Sequence, residues 1–206
     1  MSRINKEELL LQSFEVLKKD LEGNSSKIQD IIVKIAKNNL PLAIEMWKYA
    51  LGNSGSYLKE DGYYYAGGMI YNLEKKIGRE RVLNILNDND DIVEAIFGKV
   101  YDVPDTVLWD VLKSGNTELS YKIYSLLKSN RFKENSLASI IDSLCVYFSD
   151  EFEDIHDNDD DDYFDEDDVK EASLASDIAN IILDWGSEIK DEEVKANITV
   201  TLIDYI

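Results

Sequence analysis

The sequence predicts an all-α protein of about ten to eleven antiparallel helices. Apolar residues recur at spacings of three and four along most of the 206 residues, which is the period of an amphipathic helix. There are only two prolines and ten glycines, so long regular elements with short connections are expected. Strand patterns are nearly absent. The one β-branched run, "NITVTLIDYI", has its apolar positions at helical spacing: Val194, Ile198, Leu202 and Tyr205.

The first three helices are predicted from their apolar stripes and end signals. In "NKEELLLQSFEVLKKDLEG", Asn5 can cap the helix and Gly23 ends it. A serine cap is expected before the second helix, and Pro41 falls in the first turn of the third. The three stripes are Leu10, Phe14, Leu17 and Leu21; Ile28, Ile31, Ile32 and Ile35; and Leu42, Met46 and Ala50.

Eight further helices follow from the same periodicity. They are expected at about 63–77, 79–87, 90–101, 104–114, 117–129, 133–149, 169–185 and 190–205. The links between them, such as "NDND", "DVPD" and "KSGN", are short. Short links make consecutive helices pack antiparallel.

A weak internal repeat accompanies the helices. A shift of 77 positions aligns Asn39 with Asn116, Leu42 with Leu119, Met46 with Ile123, Trp47 with Tyr124 and Asn53 with Asn130. This shift equals two units of about 38 residues, near the helix-pair period of α-solenoids. Over residues of about 25–150 the chain resembles HEAT-like helical repeats. The resemblance implies a curved surface that binds another macromolecule, and an irregular helical bundle is the alternative arrangement.

The negative charge is concentrated in one segment. The formal charge is −20, and residues 150–168 contain 13 acidic residues without Lys or Arg, which leaves −7 for the rest. We call residues 150–168 the acidic strip. The expected organisation is a helical body at 1–149, the acidic and flexible strip, and a C-terminal helical pair at 169–206 packed on the body. Direct binding to nucleic acid or to an anionic membrane is disfavoured, because both need a basic face.

Three interpretations of the acidic strip compete. From Asp157 the strip matches the first carboxylates of an EF-hand loop, but Asp162 and Asp168 stand where Gly and Glu are required, so no functional metal site is expected. A solvated linker is the second interpretation. The third is a polyanion mimic, because an extended strip carries about one charge per ~5 Å, against ~3.4 Å between the phosphates of a DNA strand. The predicted partner-binding residues are Asp157, Asp159, Asp160, Asp161, Asp162, Tyr163, Phe164, Asp165, Glu166, Asp167 and Asp168.

Catalytic and cofactor signatures are missing from the sequence. His156 and Cys145 are the only histidine and cysteine, and Cys145 lies on the apolar side of a predicted helix. No phosphate-binding loop or structural zinc motif occurs, so neither enzymatic activity nor a cofactor is expected. Trp47, Trp109 and Trp185 are expected in the core.

A tyrosine cluster is a secondary candidate for partner binding. Tyr63, Tyr64 and Tyr65 precede Gly67 and Gly68 and could form an aromatic contact surface. The favoured interpretation is structural, with half-buried tyrosines and glycines that admit a neighbouring helix.

The sequence therefore predicts a cytoplasmic, non-catalytic binding protein. The single cysteine fits a reducing compartment, and no leader or membrane-spanning segment is evident. The expected partner is a basic protein, a nuclease or nucleic-acid-binding protein, which the chain inhibits by electrostatic and steric occlusion. An immunity protein against a nuclease toxin and a phage-encoded, anti-CRISPR-type inhibitor both fit. The alternative is a helical-repeat scaffold or adaptor whose acidic strip is a solvated linker.

Overall fold

The computed structural model describes residues 5–53, 62–99, 105–129, 137–152 and 166–206, with the backbone alone at 62–67, 99 and 166–168. All regular structure in these ranges is helical, which confirms the all-α class. The helices are α1 (Lys6–Leu17), α2 (Ser25–Ala36), α3 (Leu40–Asn53), α4 (Gly62–Ile77), α5 (Arg79–Asp88), α6 (Asp90–Lys99), α7 (Asp105–Lys113), α8 (Thr117–Ser129), α9 (Leu137–Phe152), α10 (Glu166–Ser187) and α11 (Glu192–Leu202). Short 3₁₀ turns follow α1 at Lys18–Asp20 and α11 at Ile203–Tyr205.

The chain divides into two compact units, 1–104 and 105–206. In the first unit α2 packs against α1, α3 and α4, and α6 packs against α3 and α5. Its core is apolar and includes the fully buried Ile28, Ile32 and Trp47. Burial of such side chains is the main driving force for this packing.

The second unit is built around α9, which packs against α7, α10 and α11. Phe148 and Phe152 of α9 are fully buried, and their rings lie 4.9 Å apart. The ring of Tyr205 meets Phe148 edge-on at 4.7 Å. These contacts close the core between α9 and the 3₁₀ turn Ile203–Tyr205.

Most predicted helix ends agree with the structure, and one predicted cap is wrong. The side chain of Asn5 accepts hydrogen bonds from the backbone N–H groups of Glu7 and Glu8, as expected of a cap. At α2 the cap position belongs to Asn24, and Ser25 is already helical, so the serine cap is not formed. The run "NITVTL" is helical, because Ile198 and Leu202 bury one face against the rest of the second unit.

The aligned asparagines of the internal repeat are structurally equivalent. The side-chain oxygen of Asn39 accepts from Leu42 N at 3.4 Å, and that of Asn116 accepts from Leu119 N at 3.0 Å. Both asparagines therefore cap a helix, α3 in the first unit and α8 in the second. The equivalence concerns two individual helices, and the HEAT-like resemblance stays a prediction.

Candidate protein-binding site

The central part of the acidic strip lies outside the described residues. This part is 153–165 and contains eight acidic residues, together with Tyr163, Phe164 and His156. Both ends of the strip are helical. Residues 150–152 complete α9, and Glu166, Asp167 and Asp168 begin α10 three residues earlier than the sequence predicted.

The division into units shows that the negative charge belongs to one of them. Residues 1–104 contain 16 acidic and 14 basic residues, whereas residues 105–206 contain 26 acidic and 8 basic residues. The formal charges are therefore −2 and −18. Sequence reasoning treated everything outside the strip as mildly acidic, but residues 169–206 alone contain eight acidic and three basic residues. The excess of acidic residues in the sequence thus continues beyond the strip through α10 and α11.

Several lysines of the second unit are engaged in ion pairs. Lys113 pairs with Glu151, Lys128 with Glu188, and Lys195 with Glu192. All three pairs are at least partly exposed, so each contributes little stability. In each pair, however, the positive charge of the lysine is offset by a neighbouring carboxylate. The remaining carboxylates give the unit a negative field that attracts basic molecules over about a Debye length.

A polar network joins α8 to α10 and explains the positions of several aromatic residues. The ring of Tyr124 stacks on Trp185 at 4.5 Å. The Tyr124 hydroxyl lies 3.1 Å from the carbonyl oxygen of Trp185 and 3.1 Å from Oε2 of Glu188. Burial, with Glu188 beside it, raises the pKa of Tyr124, so the phenol stays protonated and donates. The network is structural: it fixes α8 against α10.

The tryptophans and Cys145 are buried, as the sequence predicted. Trp47, Trp109 and Trp185 are each less than a tenth exposed. Burial, helped by Asp142, raises the pKa of the Cys145 thiol to about 12. A thiol needs its deprotonated form to act as a nucleophile, so Cys145 is inert at neutral pH.

Metal-ligand clusters and the tyrosine cluster are the remaining candidates for a site. Within the ranges described, no three His, Cys, Asp or Glu side chains are grouped to hold a metal ion. The backbone of Tyr63, Tyr64 and Tyr65 lies in the first turn of α4, and their side chains lie outside the described atoms. A Cβ added at Gly68 would meet nothing within 4 Å. The surroundings of Gly67 and the tyrosine side chains lie outside the described atoms, so the structural interpretation of this cluster stays a prediction.

None of the helices described is long and apolar enough to cross a membrane. Comparisons with protein-family models, with curated proteins and with solved structures find no match to this chain.

Proposed function

We propose that this chain is a non-catalytic acidic binding protein that inhibits a basic, nucleic-acid-processing partner. The observation that carries the proposal is the charge of −18 on residues 105–206 beside −2 on residues 1–104. A general need for solubility would not require this segregation, whereas a binding surface for a basic protein would.

The composition of the acidic strip supports mimicry of a nucleic acid. A basic groove that accepts a phosphate backbone is complementary to a dense row of carboxylates. Tyr163 and Phe164 stand among the carboxylates of the strip and supply rings where such a groove would stack bases. The inhibitor would act by occupying the groove and excluding the substrate. An immunity protein for a nuclease toxin and a phage-encoded inhibitor of a nucleic-acid-guided nuclease both work in this way in principle.

The inert thiol supports a binding role over a catalytic one. Cys145, the only cysteine of the sequence, is protonated and enclosed and therefore does not serve as an activated nucleophile. Association would be fast and salt-sensitive, because long-range attraction between opposite charges is screened by ions.

The proposal is tested by neutralising the acidic strip. Variant one replaces Asp157, Asp159–Asp162 and Asp165 by Asn. A matched control replaces six exposed acidic residues of the first unit by their amides: Glu8, Glu22, Glu45, Glu80, Asp88 and Glu94. Each protein serves as bait in lysate at low and high salt, and any nuclease that it retains is then assayed on its nucleic-acid substrate.

We expect wild type and the control to retain a basic nuclease at low salt, release it at high salt and inhibit its activity. The strip variant should neither retain the nuclease at low salt nor inhibit its activity. If the strip variant retains and inhibits the same protein as strongly as wild type, the strip is a linker and the scaffold alternative is favoured. If no variant retains a basic protein, the proposed function is wrong.

A further inference from the structure

Helices α9 and α11 form a shared surface because they lie side by side and run in the same direction. In the first half of α9 and at the midpoint of α11, Asn197 Nδ2 donates to Asp142 Oδ1 at 2.8 Å. Near their ends, the Tyr205 hydroxyl donates to the carbonyl oxygen of Phe152 at 3.2 Å. Residues at similar distances along the two helices are therefore neighbours across the surface.

A groove of about 500 Å³ lies on this surface. Its lining is provided by α9 and α11 and consists of Asp142, Glu193, Val194, Ala196, Asn197 and Val200. Two of these side chains are carboxylates, three are apolar, and none of the six is Lys or Arg. The groove therefore combines apolar area with negative charge.

Apolar side chains in and beside the groove are exposed: Val200 lines it, whereas Val146 lies one helical turn after Asp142 and outside the lining. Val146 of α9 is 53% exposed, Val200 of α11 is 76% exposed, and Ile203 just beyond it is 50% exposed. β-Branched residues are poorer helix formers than Ala or Leu, and these side chains bury little area to compensate. Contact with a partner would supply the missing burial.

Carboxylates flank the apolar middle on both helices. On α9, Asp142 and Asp150 lie one turn before and one turn after Val146, about 12 Å apart along the axis. On α11, Glu193 precedes Val200 by nearly two turns, and Asp204 follows four residues after Val200 in the 3₁₀ turn. An apolar centre with a charged rim is the usual composition of a protein interface.

We propose that this groove binds an amphipathic helix of the basic partner. An apolar residue of that helix covers Val146 and Val200, and Lys or Arg residues one turn before and one turn after it meet the flanking carboxylates. The inference rests on the proposed function, which supplies the basic partner. A second copy of the chain is a poor occupant, because two units of charge −18 repel each other.

Charge complementarity and apolar contact make opposite predictions for the affinity of Val200→Glu for a basic helix. The added charge alone would strengthen binding, whereas the lost apolar contact would weaken it. The probe is a synthetic amphipathic helix of about 18 residues, or about five turns. It has Leu at the centre of its apolar face, and Lys stands four residues before and four residues after that Leu. A peptide of the same composition in scrambled order is the control. Binding to the full chain is measured by titration calorimetry for wild type, Val200→Glu, Asp142→Asn and the control Val16→Glu, whose valine is 64% exposed on α1.

We expect Val200→Glu to weaken binding of the ordered peptide at least about tenfold, although it adds negative charge. Asp142→Asn should weaken it about two- to threefold, while the amide oxygen still accepts from Asn197. Val16→Glu should leave it unchanged, and the scrambled peptide should bind weakly to every variant. Three results would each overturn the proposal that the groove binds a basic helix. They are equal or tighter binding of the ordered peptide by Val200→Glu, equal binding of the two peptides, and no binding of the ordered peptide.

The outcomes separate this inference from the proposed function. If the peptide does not bind but the chain still captures and inhibits a basic nuclease, the function stands and the groove is wrong. If the ordered peptide binds as expected but no nuclease is captured or inhibited, the groove stands as a site for a basic helix and the inhibitor role is wrong. A loss of helical circular dichroism in Val200→Glu would be a separate reason for weaker peptide binding. In that case Val146→Glu is the second, independent variant, and its peptide binding decides the question.

Discussion

Two glycines in helices should respond in opposite ways to the same substitution. Gly186 of α10 lies against α11, and a Cβ added there would be 3.0 Å from Cδ1 and 3.2 Å from Cγ2 of Ile198. Ile198 is 1% exposed and cannot easily move away. Gly68 of α4 has open space at the same point. The same methyl group is therefore a steric conflict in one helix and harmless in the other.

The magnitudes follow from two opposing terms. Replacing Gly by Ala in a helix stabilises it by about 0.5–1 kcal/mol, because the unfolded chain loses freedom. Gly68→Ala should show this gain. At Gly186 the gain is opposed by overpacking against Ile198, which typically costs about 1–3 kcal/mol, so Gly186→Ala should lower the free energy of unfolding by up to about 2 kcal/mol.

A double-mutant cycle identifies the atoms responsible. Ile198→Val removes Cδ1, the atom closest to the added methyl, and alone should cost about 0.5–1.5 kcal/mol. In the Gly186→Ala background it should cost less, with a favourable coupling of at least about 0.5 kcal/mol. Urea unfolding followed by tryptophan fluorescence measures all variants, since Trp47 reports the first unit and Trp185 the second. If Gly186→Ala stabilises the protein as Gly68→Ala does, or if the coupling is zero, the close approach of α10 and α11 is wrong.

Three further predictions concern single side chains. Cys145 should react with a thiol reagent only after unfolding, because burial raises the pKa of its thiol to about 12; rapid labelling of the native protein would contradict this. Asn39→Asp should lower the unfolding midpoint although an aspartate can still cap α3, because the Asn39 amide donates to a carboxylate oxygen of Glu7 at 3.0 Å and a second carboxylate there would repel Glu7; an unchanged or higher midpoint would contradict this. Hydrogen bonds from Lys128 and Tyr124 lower the pKa of Glu188, so the stability that it contributes is present above its usual pKa of 4.5 and is lost as the pH falls through the lower folded value. The difference in unfolding midpoint between wild type and Glu188→Gln should accordingly shrink on acidification, and a difference that grows would have the wrong sign.

The distribution of charge between the two units, and not the net charge alone, supports a basic partner. A chain with a charge of −20 spread evenly would repel all anions and attract all cations weakly. Here one unit is nearly neutral and the other carries almost the whole charge. Removing charge from the second unit should therefore change association rates much more than removing the same charge from the first.

The sequence alone determined the helices, their approximate ends and the burial of key side chains. Helical periodicity, the Asn5 cap and the first-turn position of Pro41 are local signals, and neighbouring residues decide them. The buried positions of Trp185 and Cys145 followed from the same periodicity. The acidic strip was likewise visible as composition.

Only the tertiary structure decided which surfaces these helices share. Gly186 is closely approached and Gly68 is not, because Ile198 lies 12 residues away in sequence and meets Gly186 only when α11 folds back on α10. Asp142 and Val200 line a single groove because α9 and α11 run side by side, and −18 becomes the charge of one body because residues 105–206 fold together. Periodicity shows which face of a helix is apolar, but it carries no information about which helix covers that face, since many partners bury apolar area equally well.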